Sequence, residues 1–565
     1  MATLNWIGKQ AVTGHHRKVP YRLLKCDKAR SAGDPDAGNL LVQGDNLEAL
    51  KALLPFYAGQ VKCIYIYPPY NTGDEGWVYN DNVNSPEIKR WLGEVVGKEA
   101  EDLCRHDKWL CMMYPRLVLL REFLRNDGVI FVSIDENEVG NLRLLMNEVF
   151  GIRNALGTLV WKRRSPSAMR DMPLSIDHEY ILVYGADAIN TRLHGLPKSQ
   201  EDYPNQDERG NYASTDLTIG MDRVARPGQY YEIVNPRTGK KYPPNPDRVW
   251  RFSPETMDQV IADQLLIWPD DYPDRRMSRP RYKTYFDPNT EKPKPVSSWI
   301  ETAGSVQDLV DTYASEDDPV SLQSGMTQEG GRILQQVLGV KAFAYPKPLS
   351  LVKELVRAST TNGDLFLDSF AGSGTTGHAV MQMNKADGGN RRFILVEIDD
   401  EIATNVTAQR LARASAGYHP GGDTTKPMVE GLGSGFRFCR LGKPLFDANG
   451  NIAEEVSFAD LAAHVFFTET GSPIPKRPRK NNPLLGVHQG RAIYLLFNGV
   501  LGDRRPRGGN VLTHAVAQEL PPHPQATEDD PGQSIVFGEA CRLGPKSLAA
   551  YGITFRQIPF ELKVS

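Results

Sequence analysis

The sequence predicts an α/β chain with a mainly parallel sheet, interrupted by a long irregular insertion and followed by a smaller α+β region. Three observations carry this expectation. Residues 39–160 and 341–430 alternate short apolar runs with stretches of helical spacing. Residues 161–340 lose that periodicity and crowd prolines, aromatics and charges together, as in Tyr242-Pro243-Pro244-Asn245-Pro246. A glycine-rich segment, Gly372 to Gly377, stands between an apolar run and a helical one, the layout of a strand turning tightly into a helix.

Composition narrows the class. A chain of 565 residues exceeds one ordinary core, and 40% hydrophobic with 24% charged residues suits a soluble globular protein. The N-terminus lacks a basic segment followed by an apolar one, and no apolar stretch is long enough to span a bilayer, so no membrane association is expected. Cys26, Cys63, Cys104, Cys111, Cys439 and Cys541 are scattered, with no Cys-x-x-Cys pair. Neither a disulfide framework nor structural zinc is expected, and a cytoplasmic location fits best. A net charge of −3 neither announces nor excludes nucleic acid, because an acidic body can carry one basic cleft.

In chain order, Leu40-Leu41-Val42 reads as a strand, Leu47 to Leu54 as a helix and Cys63 to Ile66 as the next strand. Tyr114 to Leu124 reads as a helix closed by the turn signal Asn126-Asp127-Gly128, and Val129 to Val132 as a strand. Val139, Leu142, Leu145, Met146 and Val149 share one helical face that Gly151 ends. After the insertion, Leu349 to Leu355 is helical, Leu365 to Leu367 a strand, Gly377 to Met383 a helix and Phe393 to Val396 a strand. Beyond 430, Asn449-Gly450 signals a hairpin and Phe458–Phe467 is amphipathic. The basic stretches at 476–480 and 504–507 read as solvated loops.

Two motifs carry chemistry. Tyr67-Pro68-Pro69-Tyr70 follows the Cys63–Ile66 run and leads into Asn71-Thr72, so a buried strand ends in a rigid loop tipped with an aromatic ring. Asp368 to Gly377 follows the next strand, and Gly372, Gly374 and Gly377 satisfy G-x-G-x-x-G. That pattern alone is also met in tight strand–helix turns and dinucleotide folds. Here an acid, Asp368, lies just before the glycines, no Gly-Lys-Ser/Thr follows, and a second acid, Glu397, ends the following strand.

In this order the motifs resemble those of the β-class, permuted S-adenosylmethionine-dependent DNA amino-methyltransferases, and most closely the modification subunits of type III restriction systems. Pro-Pro-Tyr comes first, then the variable stretch, then Phe343-Ala344-Tyr345-Pro346-Lys347-Pro348, then the glycine loop. Gly44-Asp45-Asn46-Leu47 matches a further family segment. The resemblance covers roughly residues 1–430, and parts of the remainder, such as Gly442 to Asp447, also look like the C-terminal regions of such subunits.

What the resemblance implies is specific. The fold would be a Rossmann-like methyltransferase with residues 1–160 and 341–430 forming its two halves. Residues 161–340 would be a target-recognition region, and 431–565 a C-terminal region for dimer or partner contacts. The reaction would move a methyl group from S-adenosylmethionine to adenine N6 of a flipped base in double-stranded DNA. The Pro68 carbonyl would accept one amino hydrogen, and Tyr70 would stack on the base. Pro69 completes the rigid loop, and Tyr67 stands where the family carries Asp, Asn or Ser. A phenol reaches further than those short oxygens and is neutral near pH 7, so impaired or absent turnover is expected. Asp45 would contact the adenine of the cofactor, Asp368 with Gly372 and Gly374 its methionine end and Glu397 its ribose, and Thr375 would belong to the same cofactor site. Phe343 and Phe370 would wall the cofactor pocket or simply belong to the core, and Lys347 would serve either the cofactor or the framework.

Lys162, Arg163, Arg164, Arg248, Arg275, Arg276, Arg279 and Arg281 are the candidates for DNA contact, set among aromatics that suit phosphate and guanine recognition. Acids such as Asp270 and Asp271 lie among them, so a solvated surface is the alternative for any single arginine. The expected partners are DNA and either a second copy of the chain or a restriction or helicase subunit. Two other functions stay open: an N4-cytosine methyltransferase, or a catalytically inactive DNA-binding subunit that guides a nuclease or helicase. A dinucleotide-dependent dehydrogenase gives Pro-Pro-Tyr no role.

Overall fold

The computed structural model describes residues 4–34, 36–72, 103–165, 174–194, 203–271, 277–287, 295–302, 322–447, 451–500, 503–526 and 532–559. The chain forms two compact units, residues 1–192 with 324–565, and residues 193–323.

In the first unit, β1 (Arg22–Ala32) and β2 (Leu40–Gln43) precede helix α1 (Asn46–Tyr57). Then come β3 (Val61–Ile66), α2 (Leu103–Phe123), β4 (Leu124–Ile134), α3 (Val139–Met146), β5 (Ala155–Lys162) and β6 (His178–Gly185). After residue 324 follow α4 (Leu349–Ser359), β7 (Leu365–Asp368), α5 (Thr375–Asp387), β8 (Arg392–Glu397), α6 (Ala408–Ala416) and β9 (Phe436–Pro444). The strands of this unit line up as β1-β9-β2-β8-β7-β3-β4-β6-β5.

Neighbours from β9 to β4 are parallel, whereas β1–β9, β4–β6 and β6–β5 are antiparallel. Every residue of β3 and β7 is buried, as expected for strands covered on both faces. Phe366 pairs with Cys63 across β7 and β3. The two α/β stretches of sequence therefore close into one sheet despite the insertion between them. One apolar cluster, with Leu53, Leu120, Ile130 and Leu367 among its members, runs through this sheet and its helices.

Several expectations shift. The expected helix at 114–124 begins at Leu103, and the expected turn at 126–128 is a bulge inside β4. Pairing with β3 slips between Val61/Leu124 and Cys63/Val129, and the outward Asp127 is held by Lys62 at 3.0 Å. Pairing resumes at once on the apolar run, so tertiary pairing overrides the local turn signal. The disulfide expectation is corrected. Cys26 and Cys439 lie directly opposite on β1 and β9 and are bonded, a pairing hidden by 413 residues of sequence separation.

The boundaries also move. Residues 161–185 complete β5 and β6, so the separate unit spans 193–323 rather than 161–340. That unit carries the four-stranded sheet Leu266–Ile267, Arg281–Tyr285, Gly210–Asp216 and Asn205–Asp207, with Trp250, Met257 and Trp268 in its core. Residues 431–565 are grouped with the first unit, because β9 inserts between β1 and β2. They add helix α7 (Phe458–Thr470) and a four-stranded sheet of β10 (Leu484–His488), β11 (Arg491–Leu495), β12 (Gln533–Gly538) and β13 (Ile553–Gln557). The expected hairpin at Asn449-Gly450 lies outside the described residues, although Phe446 and Ile452 beside it form an antiparallel bridge. Among the described residues no helix is long and apolar enough to cross a membrane.

Candidate active site

Three adjacent strands deliver the site. β3 ends at Ile66, just before Tyr67, β7 at Asp368 and β8 at Glu397, all at the carboxyl edge of the parallel sheet, where open α/β sheets bind ligands. Residues from these ends line one cavity of about 250 Å³, together with Phe343 and Lys347 from the segment preceding α4.

One side of the cavity is the Pro-Pro-Tyr loop. The Pro69 carbonyl accepts from Trp109 Nε1 at 2.7 Å, whereas the Pro68 carbonyl accepts no backbone or side-chain donor among the described residues. Asn71 sits at φ 61°, a left-handed conformation that asparagine tolerates. It is fixed there by its Nδ2, which donates to the fully buried Glu138. His106 Nδ1 lies 2.6 Å from the same carboxylate. The buried Tyr70 hydroxyl donates to Glu179 Oε2 at 2.7 Å. Lys347 Nζ donates to the Tyr70 oxygen at 2.8 Å and pairs with Glu179. The same ammonium lies 3.9 Å from the Tyr67 ring centroid and 5.0 Å from that of Trp161.

Electrostatics follow from this packing. Burial works to raise the pKa of Glu179, but the Lys347 charge and the hydrogen bonds from Lys347 and Tyr70 outweigh it and hold the carboxyl below its usual range. Burial and the neighbouring Glu179 keep the Tyr70 phenol neutral, so it serves as a donor. The Tyr67 and Tyr70 rings meet edge to face at 4.8 Å with 67° between their planes.

The opposite side is the glycine loop. Asp368 accepts from the Phe370 amide at 2.9 Å and the Thr376 hydroxyl at 2.6 Å. Glu397 accepts from the Gly372 amide at 2.7 Å and the Asp399 amide at 3.0 Å. Gly372 and Gly374 adopt φ 49° and 76°, and a Cβ on Gly374 would lie 2.9 Å from the Thr407 methyl. The glycines are therefore required by both backbone conformation and close approach. Burial raises Asp368 to about 6 and Glu397 to about 7. Neither carboxyl has a cationic side-chain partner among the described residues.

Residues 61–409 match the family model described as DNA methylase, of the N6/N4 methyltransferases. The chain belongs to this family. It is 33% identical over 405 residues to the type III restriction-modification enzyme StyLTI Mod subunit of Salmonella typhimurium, a match covering 69% of this chain and 56% of that protein. The EcoPI Mod subunit of Escherichia phage P1 is 32% identical over 470 residues, covering 76% of this chain and 67% of that one. The EcoP15I Mod subunit of Escherichia coli is 29% identical over 523 residues, covering 83% and 74%. The chain thus spans between about half and three quarters of the length of these relatives.

The residues suit the cofactor of a DNA methylase. S-adenosylmethionine offers a cationic sulfonium and a ribose diol, and the cavity wall offers two buried carboxyls with no cationic side-chain partner among the described residues. Gly372, Thr375, Phe343, Phe370, Asp368 and Glu397 all line the cavity; Gly374 is not among its lining residues, but it shapes the loop. Asp45 does not line it. Its carboxylate caps α1 through the Leu47 and Glu48 amides and pairs with Arg116 at 3.2 Å. Lys347 lines the cavity, but its ammonium turns to Tyr70 and Glu179, on the Pro-Pro-Tyr side.

The DNA candidates divide. Arg163 pairs with Glu179 at 3.4 Å and Arg164 with Asp177 at 3.3 Å, both within the first unit, and Lys162 ends β5 there. In the second unit Arg248 pairs with Asp216 at 3.1 Å, Arg281 bonds to Ser214 at 2.8 Å, and Arg279 Nε is buried without a partner among the described residues. Arg275 and Arg276 lie outside the described residues. Glu179, Glu138 and Trp109 escaped the sequence reading. The one available signal was the acid at the head of the apolar run Tyr180–Tyr184, which marks a charge entering a core.

Proposed function

We propose that the chain is a DNA methyltransferase scaffold built to methylate adenine N6 and impaired by Tyr67. The observation that carries this reading is that Pro68 and Tyr70 line the same cavity as Asp368, the glycine loop and Glu397. The bound cofactor supplies an electrophilic methyl group on a sulfonium. Glu397 is suited to hold the ribose hydroxyls and Asp368 to face the cationic end. The Pro68 carbonyl accepts one hydrogen of the target amino group, drawing its nitrogen toward tetrahedral geometry. Tyr70, anchored through its hydroxyl to Glu179 and Lys347, offers its face to the extruded base and offsets part of the unstacking penalty. Residues 193–323 are proposed to read the DNA sequence, and the likeness to type III Mod subunits supports a restriction subunit as partner.

A second reading, a DNA-binding subunit without turnover, is favoured by one contact. The Tyr67 ring packs edge to face with Tyr70, the proposed base platform. The test is methyl transfer from radiolabelled S-adenosylmethionine to genomic DNA, followed by sequencing that detects modified bases. Label in N6-methyladenine supports the first reading. Cofactor and DNA binding without label support the second.

A further inference from the structure

Proline rings stiffen residues 68 and 69, but they do not choose the direction in which the loop leaves β3. That direction is set from outside, by α2 and by the start of α3. On α2, His106 and Trp109 lie three residues apart and so share one helical face. Trp109, without solvent exposure, donates through Nε1 to the Pro69 carbonyl at 2.7 Å. Of the two consecutive proline carbonyls this one is occupied, whereas the Pro68 carbonyl accepts no donor among the described residues. Asn71 then closes the loop in the left-handed region at φ 61°. Its side chain is held through Nδ2, which donates to Glu138, and its Oδ1 has no partner among the described residues.

Glu138 has no solvent exposure and stands at the N-cap position of α3, yet its carboxylate does not bond the first amides of that helix. Its oxygens go to side chains instead. Oε1 meets Asn71 Nδ2 and His106 Nδ1, the latter at 2.6 Å, and Oε2 accepts from Asn141 Nδ2 at 2.9 Å. Nδ1 of an imidazole that faces a carboxylate carries its hydrogen, so donors from the loop, α2 and α3 converge on one buried acid. A glutamine of the same size would set its NH2 against one of the three. None of these partners belongs to the glycine loop or to Glu397.

We propose that Glu138 is a positioning residue for methyl transfer: through Asn71 it fixes the exit of the Pro-Pro-Tyr loop, and with it the placement of the Pro68 carbonyl and the Tyr70 ring. This rests on the methyltransferase reading of the cavity. Initial rates of methyl transfer to genomic DNA are measured on the full chain, unaltered and with Tyr67→Asp, and the faster of the two serves as background. In it, Glu138→Gln and Asn71→Ala are each expected to lower kcat by about ten- to a hundredfold. The calorimetric Kd for S-adenosylhomocysteine should change by less than about twofold. Because both residues act through one bond, the double variant should lose no more than about twofold beyond the larger single loss. Unchanged kcat in Glu138→Gln, parallel losses of turnover and cofactor affinity, or single losses that multiply in the double variant each overturn the proposal. If Glu138→Gln does not fold, Asn71→Ala decides: lower kcat at unchanged S-adenosylhomocysteine affinity supports the proposal, and any other result overturns it. No transfer by either background chain overturns the methyltransferase reading and the proposal with it, an outcome seen before any change at 138 or 71 is made.

Discussion

Tyr67→Asp is the most informative single change. The substitution removes a ring that packs on Tyr70 at 4.8 Å and lies 3.9 Å from the Lys347 ammonium. Losing the aromatic pair is worth about 0.5–1.5 kcal/mol and the desolvated cation–π contact about 2 kcal/mol. A new carboxylate beside Lys347 offsets part of this, so a net destabilisation of about 1–3 kcal/mol is expected. Activity should move the other way. The short acid restores the second acceptor for the target amino group, worth about 10²–10³-fold in rate, and clears the face of Tyr70. The assay is initial-rate methyl transfer to genomic DNA beside a urea melt, with Tyr67→Phe as control. The phenylalanine variant keeps the ring and should stay as slow as the unaltered chain. Comparable, robust rates for the unaltered chain and Tyr67→Asp would refute the reasoning. So would a gain in Tyr67→Phe equal to that in Tyr67→Asp.

Other outcomes follow from the same geometry. Lys347→Met leaves the buried Glu179 carboxylate with only the Tyr70 hydroxyl and the longer Arg163 contact at 3.4 Å and should cost up to about 3–5 kcal/mol in a urea melt; adding Glu179→Leu should recover at least half of that. Gly374→Ala forces a side chain into φ 76° against Thr407, a strain of about 1–2 kcal/mol that should weaken S-adenosylhomocysteine binding about tenfold by calorimetry. Asp368 and Glu397 have pKa values raised by burial to about 6 and 7. Both are protonated at pH 5 and ionise as pH rises to 8, so preference for S-adenosylmethionine over its neutral-sulfur product should grow across that range. The folded state binds these protons more tightly than the unfolded one. Without ligand, their contribution to stability is therefore present below about pH 4 and lost as pH rises through 6 to 7, which pH-dependent melts with and without ligand will reveal.

The parts of the fold that were legible are those where local pattern and tertiary role agree. β3, β7 and β8 are short apolar runs bounded by turn residues; β7 and β8 end on Asp368 and Glu397, and β3 ends just before Tyr67. The glycine loop was legible because only glycine serves at 372 and 374. What escaped depends on contacts between distant segments. Cys26 and Cys439 share a register that only the sheet order creates. Asn126-Asp127-Gly128 is a sound turn signal that loses to pairing with β3. Lys347 reads, from the family resemblance, as either a cofactor ligand or part of the framework. Its ammonium is redirected by Glu179, 168 residues earlier in the chain, and no local pattern encodes that partner.

The layout also bears on whether a change at 67 leaves the rest of the site intact. The proposed base side is built from residues 67–71, Glu179 and the Lys347 side chain, and the proposed cofactor side from 343, 368–376 and 397. Lys347 joins them: its side chain anchors Tyr70, while its carbonyl accepts from Thr375 at 3.4 Å. Tyr67 contacts Lys347 through the ammonium, and the Asp368 and Glu397 hydrogen bonds do not involve residue 67. Cofactor affinity should accordingly be the same, within about twofold, in the unaltered chain and in Tyr67→Asp, while transfer rates differ by orders of magnitude. A parallel change in both quantities would mean that the two sides are one cooperative unit. Tyr67 would then distort the glycine loop as well, and an inactive chain would be expected to lose cofactor binding too. Independent responses leave a protein that holds cofactor and DNA without turnover, and on that footing the second functional reading is decided by DNA binding alone.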